Sequence, residues 1–149
     1  MKDLRIRRME ERDIPAVAAI EAASISPPWS EKSFRESLAL YHTIFLVAES
    51  NGEIAGYAGC YQSLEEAEIT NVAVRPDLRG QGIARAILEE LLEVGRQQGA
   101  FAFTLEVRVG NVPAIRLYES LGFESVGIRK NFYEKPREDA MIMWRRWQA

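Results

Sequence analysis

A loop of seven residues combines two glycines with two arginines, four residues after an apolar β-branched run and directly before a long amphipathic stretch. Its sequence is Arg79-Gly80-Gln81-Gly82-Ile83-Ala84-Arg85. Glycines allow a backbone to approach a ligand closely, and the N–H groups at the start of a helix can point together at an anion. The two arginines add positive charge where a phosphate would lie. The loop therefore predicts a site that holds a pyrophosphate-bearing cofactor by its backbone.

The alternative for this loop is a tight strand-to-helix turn in which the arginines are incidental. The apolar strand before the loop and the helix after it both favour the functional interpretation. A Walker-type loop is excluded because no Gly-Lys-Ser/Thr sequence follows. A Rossmann loop is disfavoured, since the glycines are spaced differently and antiparallel strands precede them.

Three polar residues downstream of the loop lie in or beside apolar segments. Glu106 interrupts an apolar strand, where a carboxylate commonly belongs to the solvent-facing half of an alternating pattern. Tyr118 lies on a short predicted helix. It could be a core aromatic ring with its hydroxyl at the edge, or its hydroxyl could take part in chemistry. Asn111 precedes that helix and is a favoured N-cap. Residue type and position leave a structural and a chemical role open for Glu106 and Tyr118.

The elements that must position these residues alternate between strands and helices. Hydrophobic periodicity predicts the order β-α-α-β-β-β-α-β-α-β-β, with Ser30 capping the second helix and Asn51-Gly52 forming a hairpin. The last two strands, 124–129 and 141–147, are expected to be joined by a long charged loop. The pattern predicts one α/β domain over residues 1–149, with a mixed, mostly antiparallel sheet of about seven strands flanked by about four helices.

The composition limits the class of protein. At 47% hydrophobic and 28% charged residues, the chain suits a soluble globular protein and not a disordered one. A net charge of −3 argues against direct nucleic-acid binding. Cys60 and His42 are each the only residue of their type, so the usual Cys/His zinc site cannot be built and no metal is expected. Because no stretch approaches the roughly 20 apolar residues of a membrane span, we expect no membrane contact and a cytoplasmic location.

The loop and several other stretches together resemble an enzyme family. Arg79-x-x-Gly82-x-Ala84 matches the acyl-CoA-binding signature, Gln/Arg-x-x-Gly-x-Gly/Ala, of the GCN5-related N-acetyltransferases (GNAT), whose element order agrees with essentially the whole chain. Five stretches resemble more narrowly the RimI-type alanine N-acetyltransferases, which modify a small-subunit ribosomal protein. They are Pro28-Trp-Ser-Glu-Lys-Ser-Phe34, Asn71-Val-Ala-Val74, Leu105-Glu-Val-Arg-Val-Gly-Asn111, Ala114-Ile-Arg-Leu-Tyr-Glu-Ser-Leu-Gly-Phe123 and Glu138-Asp-Ala-Met-Ile-Met143.

This resemblance implies a GNAT-like fold with acetyl-CoA as the co-substrate. The backbone of residues 72–74 would pair with the pantetheine arm like an added strand, and the N–H groups of residues 80–85 would hold the pyrophosphate. Asn111 would cap its helix and also donate a hydrogen bond near the thioester. The expected cofactor-binding residues are Val72, Ala73, Val74, Arg79, Gly80, Gln81, Gly82, Ile83, Ala84, Arg85 and Asn111.

The resemblance also implies a catalytic pair. Glu106 corresponds to the glutamate that acts as general base, and Tyr118 to the general acid that protonates the departing thiolate of CoA. An α-amino group has a pKa of roughly 7.7–8.0, so a useful fraction is already neutral near pH 7 and a carboxylate need only remove the remaining proton. A lysine side chain, at about 10.4, would demand more. N-terminal amines are therefore favoured as acceptors.

The acceptor would lie against residues outside the cofactor loop. Trp29, Glu66 and Tyr133 are the predicted substrate-binding residues, with Tyr133 placed in the long final loop. Glu66 belongs with Glu65 and Glu68 to an acidic group that would attract a positively charged amine or a basic peptide. The alternative for this group is a solvated charge run.

These expectations combine into one predicted activity. It is acetyl transfer from acetyl-CoA to a protein N-terminal α-amine, the alanine of a small-subunit ribosomal protein, by direct attack in a ternary complex. The partner is then a protein or peptide N-terminus, without nucleic acid or membrane. The alternatives are a GNAT enzyme for a small-molecule amine or a lysine side chain, and a non-catalytic acyl-CoA-binding module.

Overall fold

Seven β-strands form one sheet in this computed structural model, which describes residues 3–147. The strands are β1 (Arg5–Arg8), β2 (Thr43–Ser50), β3 (Glu53–Ser63), β4 (Glu66–Val74), β5 (Ala102–Arg108), β6 (Glu124–Glu134) and β7 (Arg137–Arg146). They lie in the order β1-β2-β3-β4-β5-β7-β6, and every neighbouring pair is antiparallel except the parallel pair β4–β5. The helices of the described chain are α1 (Ile14–Ser24), α2 (Glu31–Leu38), α3 (Ile83–Gln97) and α4 (Val112–Ser120). The predicted fold class is confirmed.

Buried side chains along the strands point alternately to the two faces of the sheet, so a hydrophobic core forms on each face. Ile44 and Leu46 of β2 belong to the core beneath α3, whose buried stripe includes Leu88 and Leu91. Residues between them in β2, such as Phe45, turn to the other face and pack with α1 and α2. Within residues 3–147, no helix is long and apolar enough to cross a membrane.

Local signals set the helix boundaries where the sequence predicts them. The Ser30 hydroxyl accepts a hydrogen bond from the Ser33 N–H at 3.1 Å and caps α2. The Asn111 side-chain oxygen accepts from the Ala114 N–H at 3.3 Å and caps α4. Gly122 follows α4 with φ +93°. Glycine adopts this left-handed conformation with little backbone strain, so it ends the helix here.

Strand β4 changes the face of its side chains at a one-residue bulge. Ile69 pairs with Cys60 and Asn71 pairs with Gly59, so Thr70 is the additional residue. Ile69 packs in the core beneath α3, whereas the Asn71 amide donates to a carboxylate of α1 on the opposite face. The bulge thus turns the second half of β4 toward a different set of neighbours.

Strands β4 and β5 separate after a short paired segment. Their register covers only Glu66–Glu68 against residues 102–104, although both strands continue beyond it. A cavity opens between the diverging segments, lined on one side by residues 69–72 and on the other by residues 105–108. The splay leaves an edge of β4 for a ligand to pair with.

The end of the chain differs from the sequence-based expectation. The long charged loop predicted between strands 124–129 and 141–147 is wrong, since β6 and β7 extend toward each other and are joined by Lys135-Pro136 alone. The register shifts between Arg129 and Tyr133, and Asn131 adopts φ +54° with its N–H bonded to an Asp139 carboxylate oxygen at 2.9 Å. This irregularity breaks the alternation by which a strand is recognised in sequence.

Candidate active site

Two cavities meet where β4 and β5 diverge. The outer cavity, about 500 Å³, extends from residues 72–74 of β4 along the glycine loop to α4. The inner cavity, about 260 Å³, lies between β4 and β5 beneath the connection of α1 to α2. Val72, Ala114 and Tyr118 line both cavities. The geometry therefore suits two ligands that approach one point from opposite sides.

The glycine loop has the conformation of an anion site. Gly80 and Gly82 have φ of +80° and +81°, and a Cβ on either would meet no atom within 4 Å. The positive φ of the backbone thus favours glycine at both positions. Gly82 is the N-cap of α3, and no side chain among residues 3–147 caps it. The N–H groups of the first turn, residues 83–85, are thus free to bind an anion in the outer cavity.

Arg79 points back into the protein. Its guanidinium donates to the Val74 carbonyl oxygen at 3.2 Å and to the Ser24 hydroxyl at 2.9 Å. Arg85 donates to the Ser120 hydroxyl of α4. Both arginines line the outer cavity, but their hydrogen bonds fasten the loop to neighbouring elements. Their contribution to cofactor binding stays a prediction, as do those of the other loop residues.

Glu106 projects from β5 on the face away from α3. Its Oε2 atom accepts a hydrogen bond from Arg129 of β6 at 2.7 Å, and its side chain is 19% exposed. Burial and the nearby charge of Glu106 raise the pKa of Glu68. Glu106 lines the inner cavity, where a carboxylate with this exposure can accept a proton from a bound amine.

Tyr118 of α4 lies at the junction of the two cavities. Its ring packs against Phe123 with centroids 5.8 Å apart, and only 5% of the residue is exposed. Burial raises the pKa of the Tyr118 phenol, and the nearby Tyr133 adds to the effect. The phenol therefore stays protonated at neutral pH and can donate a proton. Asn111 lines the inner cavity close by, at the start of the same helix.

The three predicted acceptor residues occupy different places. Tyr133 lines the inner cavity from β6, and burial followed by the charge of Glu106 raises the pKa of its phenol. Glu66 is exposed and lines an adjoining groove of about 450 Å³, which also contains Glu106. Trp29 packs its ring against Phe34 at 5.2 Å, in the core beneath α1 and α2. Tyr133 is therefore brought to Glu106 and Tyr118, while Trp29 lies apart and Glu66 neighbours the site.

Sequence reasoning missed a buried carboxylate behind the site. Glu21 of α1 is fully buried, and its carboxylate accepts hydrogen bonds from the Trp29 N–H at 2.9 Å, the Asn71 amide at 3.1 Å and the Tyr57 hydroxyl. These donors compensate the cost of removing a charge from water. The only sequence signal is a lone glutamate among small and apolar residues in α1, and its partners are distant in sequence.

Sequence reasoning also missed Arg108. This residue follows Glu106 by two positions on the same face of β5 and lines the inner cavity. Its guanidinium lies over the Tyr133 ring at 4.1 Å from the centroid and pairs with Glu138 at 3.3 Å. In the sequence it resembles any polar residue of an alternating strand.

Proteins of known activity match the chain over most of its length. The [ribosomal protein bS18]-alanine N-acetyltransferase of Escherichia coli is 41% identical over 140 residues, covering 93% of this chain and 94% of that protein. The N-alpha-acetyltransferase RimI of Mycobacterium tuberculosis is 38% identical over 122 residues, covering 79% and 75%. The crystal structure of the ribosomal-protein-S18-alanine N-acetyltransferase from Escherichia coli has a TM-score of 0.90 at 38% identity, covering 98% of this chain and 95% of that chain.

The family itself follows from a broader match. The model of the acetyltransferase (GNAT) family matches residues 14–123, well over half of the 149 residues. That range includes the glycine loop, Glu106 and Tyr118. Enzymes of this family take their acetyl group from acetyl-CoA, so the predicted class of acetyl-CoA-dependent N-acetyltransferase is confirmed. The chain therefore belongs to the acetyltransferase (GNAT) family.

Proposed function

We propose that this chain acetylates the N-terminal alanine of ribosomal protein bS18 in the cytoplasm, using acetyl-CoA. The observation that carries the proposal is the meeting of two cavities at Tyr118, with Glu106 on the inner side and the glycine loop on the outer side. Relatives whose names state this activity match over nearly the whole chain.

The donor fits the outer cavity. The left-handed glycines leave open space at the N-terminus of α3, where the N–H groups of residues 83–85 would bind the pyrophosphate. The unpaired edge of β4 at residues 72–74 would bind the pantetheine arm through main-chain hydrogen bonds. Asn111 would bind near the thioester. When bound, acetyl-CoA supplies an activated acetyl group at the junction of the cavities.

The acceptor amine would enter the inner cavity. An α-amino group with a pKa of roughly 7.7–8.0 is already partly neutral near pH 7, and Glu106 takes up the remaining proton. The neutral amine attacks the thioester carbonyl, and the Tyr118 phenol donates its proton to the sulfur that leaves. Holding amine and thioester together at one point accounts for much of the rate.

The burial of Cys60, the only cysteine in the sequence, favours direct transfer of the acetyl group from acetyl-CoA to the amine. Cys60 lies on β3 in the core beneath α3, with no exposed surface. Burial raises the pKa of its thiol to about 12, so the nucleophilic thiolate is scarce at neutral pH. This supports a ternary complex over an acyl-cysteine intermediate.

The test is mass spectrometry of peptides incubated with acetyl-CoA. We expect one acetyl group on the N-terminus of a bS18 peptide that starts with alanine, and none on the same peptide with a blocked N-terminus. Glu106→Gln should slow this transfer, whereas Glu90→Gln, on the exposed face of α3, serves as the matched control. Acetylation of internal lysines or of free polyamines instead, or transfer by Glu106→Gln at the wild-type rate, would contradict the proposal.

A further inference from the structure

Three chain segments lie at or beside the inner cavity, and the Arg108 side chain links them, two directly and the third through Glu138. The segments are the α1–α2 connection (residues 25–30), the β5–α4 connection (residues 109–111) and the β6–β7 turn (residues 135–136). Arg108, at the end of β5, lies where they converge, with its side chain 21% exposed. We call this arrangement the Arg108 clamp.

The guanidinium binds main-chain oxygens of two of these segments. It donates to the Ser26 carbonyl oxygen of the α1–α2 connection at 3.0 Å. It also donates to the carbonyl oxygens of Lys135 at 3.3 Å and Pro136 at 2.8 Å in the β6–β7 turn. Ser26 is 82 residues away in sequence, so the clamp joins remote parts of the chain.

Glu138 extends the clamp to the third segment. One carboxylate oxygen accepts from Arg108 at 3.3 Å, and the other accepts from the Gly110 N–H at 2.7 Å. A Cβ at Gly110 would lie 2.7 Å from the same oxygen, so a larger residue there would push the carboxylate away from the N–H. The β5–α4 connection, which leads into the helix that bears Tyr118, is thereby fixed to the β6–β7 turn.

The clamp acts on the inner cavity. Arg108 lines that cavity beside Tyr133, whereas the outer cavity is lined by the glycine loop, the end of β4 and α4. A change at Arg108 therefore acts first on the walls around the acceptor, and it leaves in place the glycine loop and the end of β4, which Arg108 does not touch. In a cavity of about 260 Å³ a small shift of one wall alters the room for a first side chain.

We propose that Arg108 is a positioning residue that fixes the walls of the acceptor cavity and so determines selectivity for a small first residue. This rests on the proposed function. The planar guanidinium reaches carbonyl oxygens of two segments and the Glu138 carboxylate at once, whereas a lysine ammonium is a compact point charge on a flexible stem. Arg108→Lys keeps the charge and loses this geometry.

The experiment compares wild type, Arg108→Lys and the matched control Arg5→Lys, which changes an exposed residue of the edge strand β1. Each enzyme is assayed with two peptides that differ only in starting with alanine or leucine. For Arg108→Lys we expect the KM of the alanine peptide to rise by about 10- to 100-fold and its advantage over the leucine peptide to fall about 10-fold. The KM of acetyl-CoA should change less than that of the alanine peptide, because Arg108 touches neither the glycine loop nor the end of β4.

Amide hydrogen exchange gives a readout that needs no activity. Arg108→Lys should speed exchange in residues 25–30 and 109–111 and leave α3 unchanged. If Arg108→Lys does not fold, Glu138→Gln should show the same effects more weakly, since it retains an acceptor for the Gly110 N–H.

Two results overturn the proposal: an unchanged alanine-to-leucine ratio with unchanged exchange, or a rise in the KM of acetyl-CoA equal to that of the peptide. If wild type acetylates neither peptide, the proposed function is wrong, and the exchange data then decide whether the clamp holds these segments.

Discussion

Replacing Gly82 by alanine separates the stability of the glycine loop from its affinity for the donor. Gly82 has φ +81°, and a Cβ there would project into space with no atom within 4 Å. An alanine in the left-handed region costs about 1–2 kcal/mol in backbone strain. For a chain of 149 residues this lowers Tm by about 2–8 °C.

The effect on binding should be separate and larger. The new methyl group would occupy the space over the first turn of α3, where the pyrophosphate is expected to lie. Losing one charge-assisted hydrogen bond costs about 1.5–3 kcal/mol, which is roughly a 10- to 150-fold increase in the Kd of CoA. Isothermal titration with CoA measures this increase, and thermal unfolding measures the strain.

Gly52 provides the matched control for the backbone strain. It lies in the turn between β2 and β3 with φ +78°, and a Cβ there would also meet no atom within 4 Å. Gly52→Ala should lower Tm by a similar amount and leave the Kd of CoA unchanged. Wild-type CoA affinity in Gly82→Ala, alongside the expected loss of stability, would refute an anion site at the N-terminus of α3.

Two further predictions concern Tyr118 and Glu21. Tyr118→Phe should lower kcat by about 10²-fold through loss of the proton donor, with the KM of the peptide little changed. Because burial raises the pKa of the Tyr118 phenol, the wild-type kcat should show no loss from phenol ionisation up to pH 10, and a decline below that pH would contradict the assignment. Glu21→Ala leaves the Trp29 N–H, the Tyr57 hydroxyl and the Asn71 amide without their buried partner, so the free energy of unfolding should fall by about 3–5 kcal/mol. Urea unfolding measures this loss, and a loss below about 1 kcal/mol would show that the three donors find other partners.

Features with a local cause could be predicted from the sequence. Ser30 and Asn111 cap helices through contacts three residues away, and Asn51-Gly52 forms the β2–β3 turn. The glycine loop is equally local, because its conformation depends on residues that can adopt positive φ. These signals, with hydrophobic periodicity, predict the fold class, whereas the family follows from the resemblance of several short stretches of sequence.

Features that depend on distant contacts could not be predicted. The side chain of Arg79 turns toward Ser24, 55 residues earlier, instead of the loop it belongs to. Glu21 meets Asn71 50 residues later, and Arg108 reaches Ser26 across 82 residues. The splay of β4 from β5 is likewise non-local, because α3 separates the two strands in the chain and they pair over only three residues.

The expected donor cradle consists mainly of main-chain groups: the free edge of β4 and the N–H groups at the start of α3. Alanine scanning removes side chains and keeps those groups, so it would leave most of such a cradle undetected. Proline at residue 84 or 85, neither of which is buried in the core, would remove an N–H donor itself, and the first turn of a helix tolerates it structurally. Scanning with proline rather than alanine is therefore the way to map this half of the site.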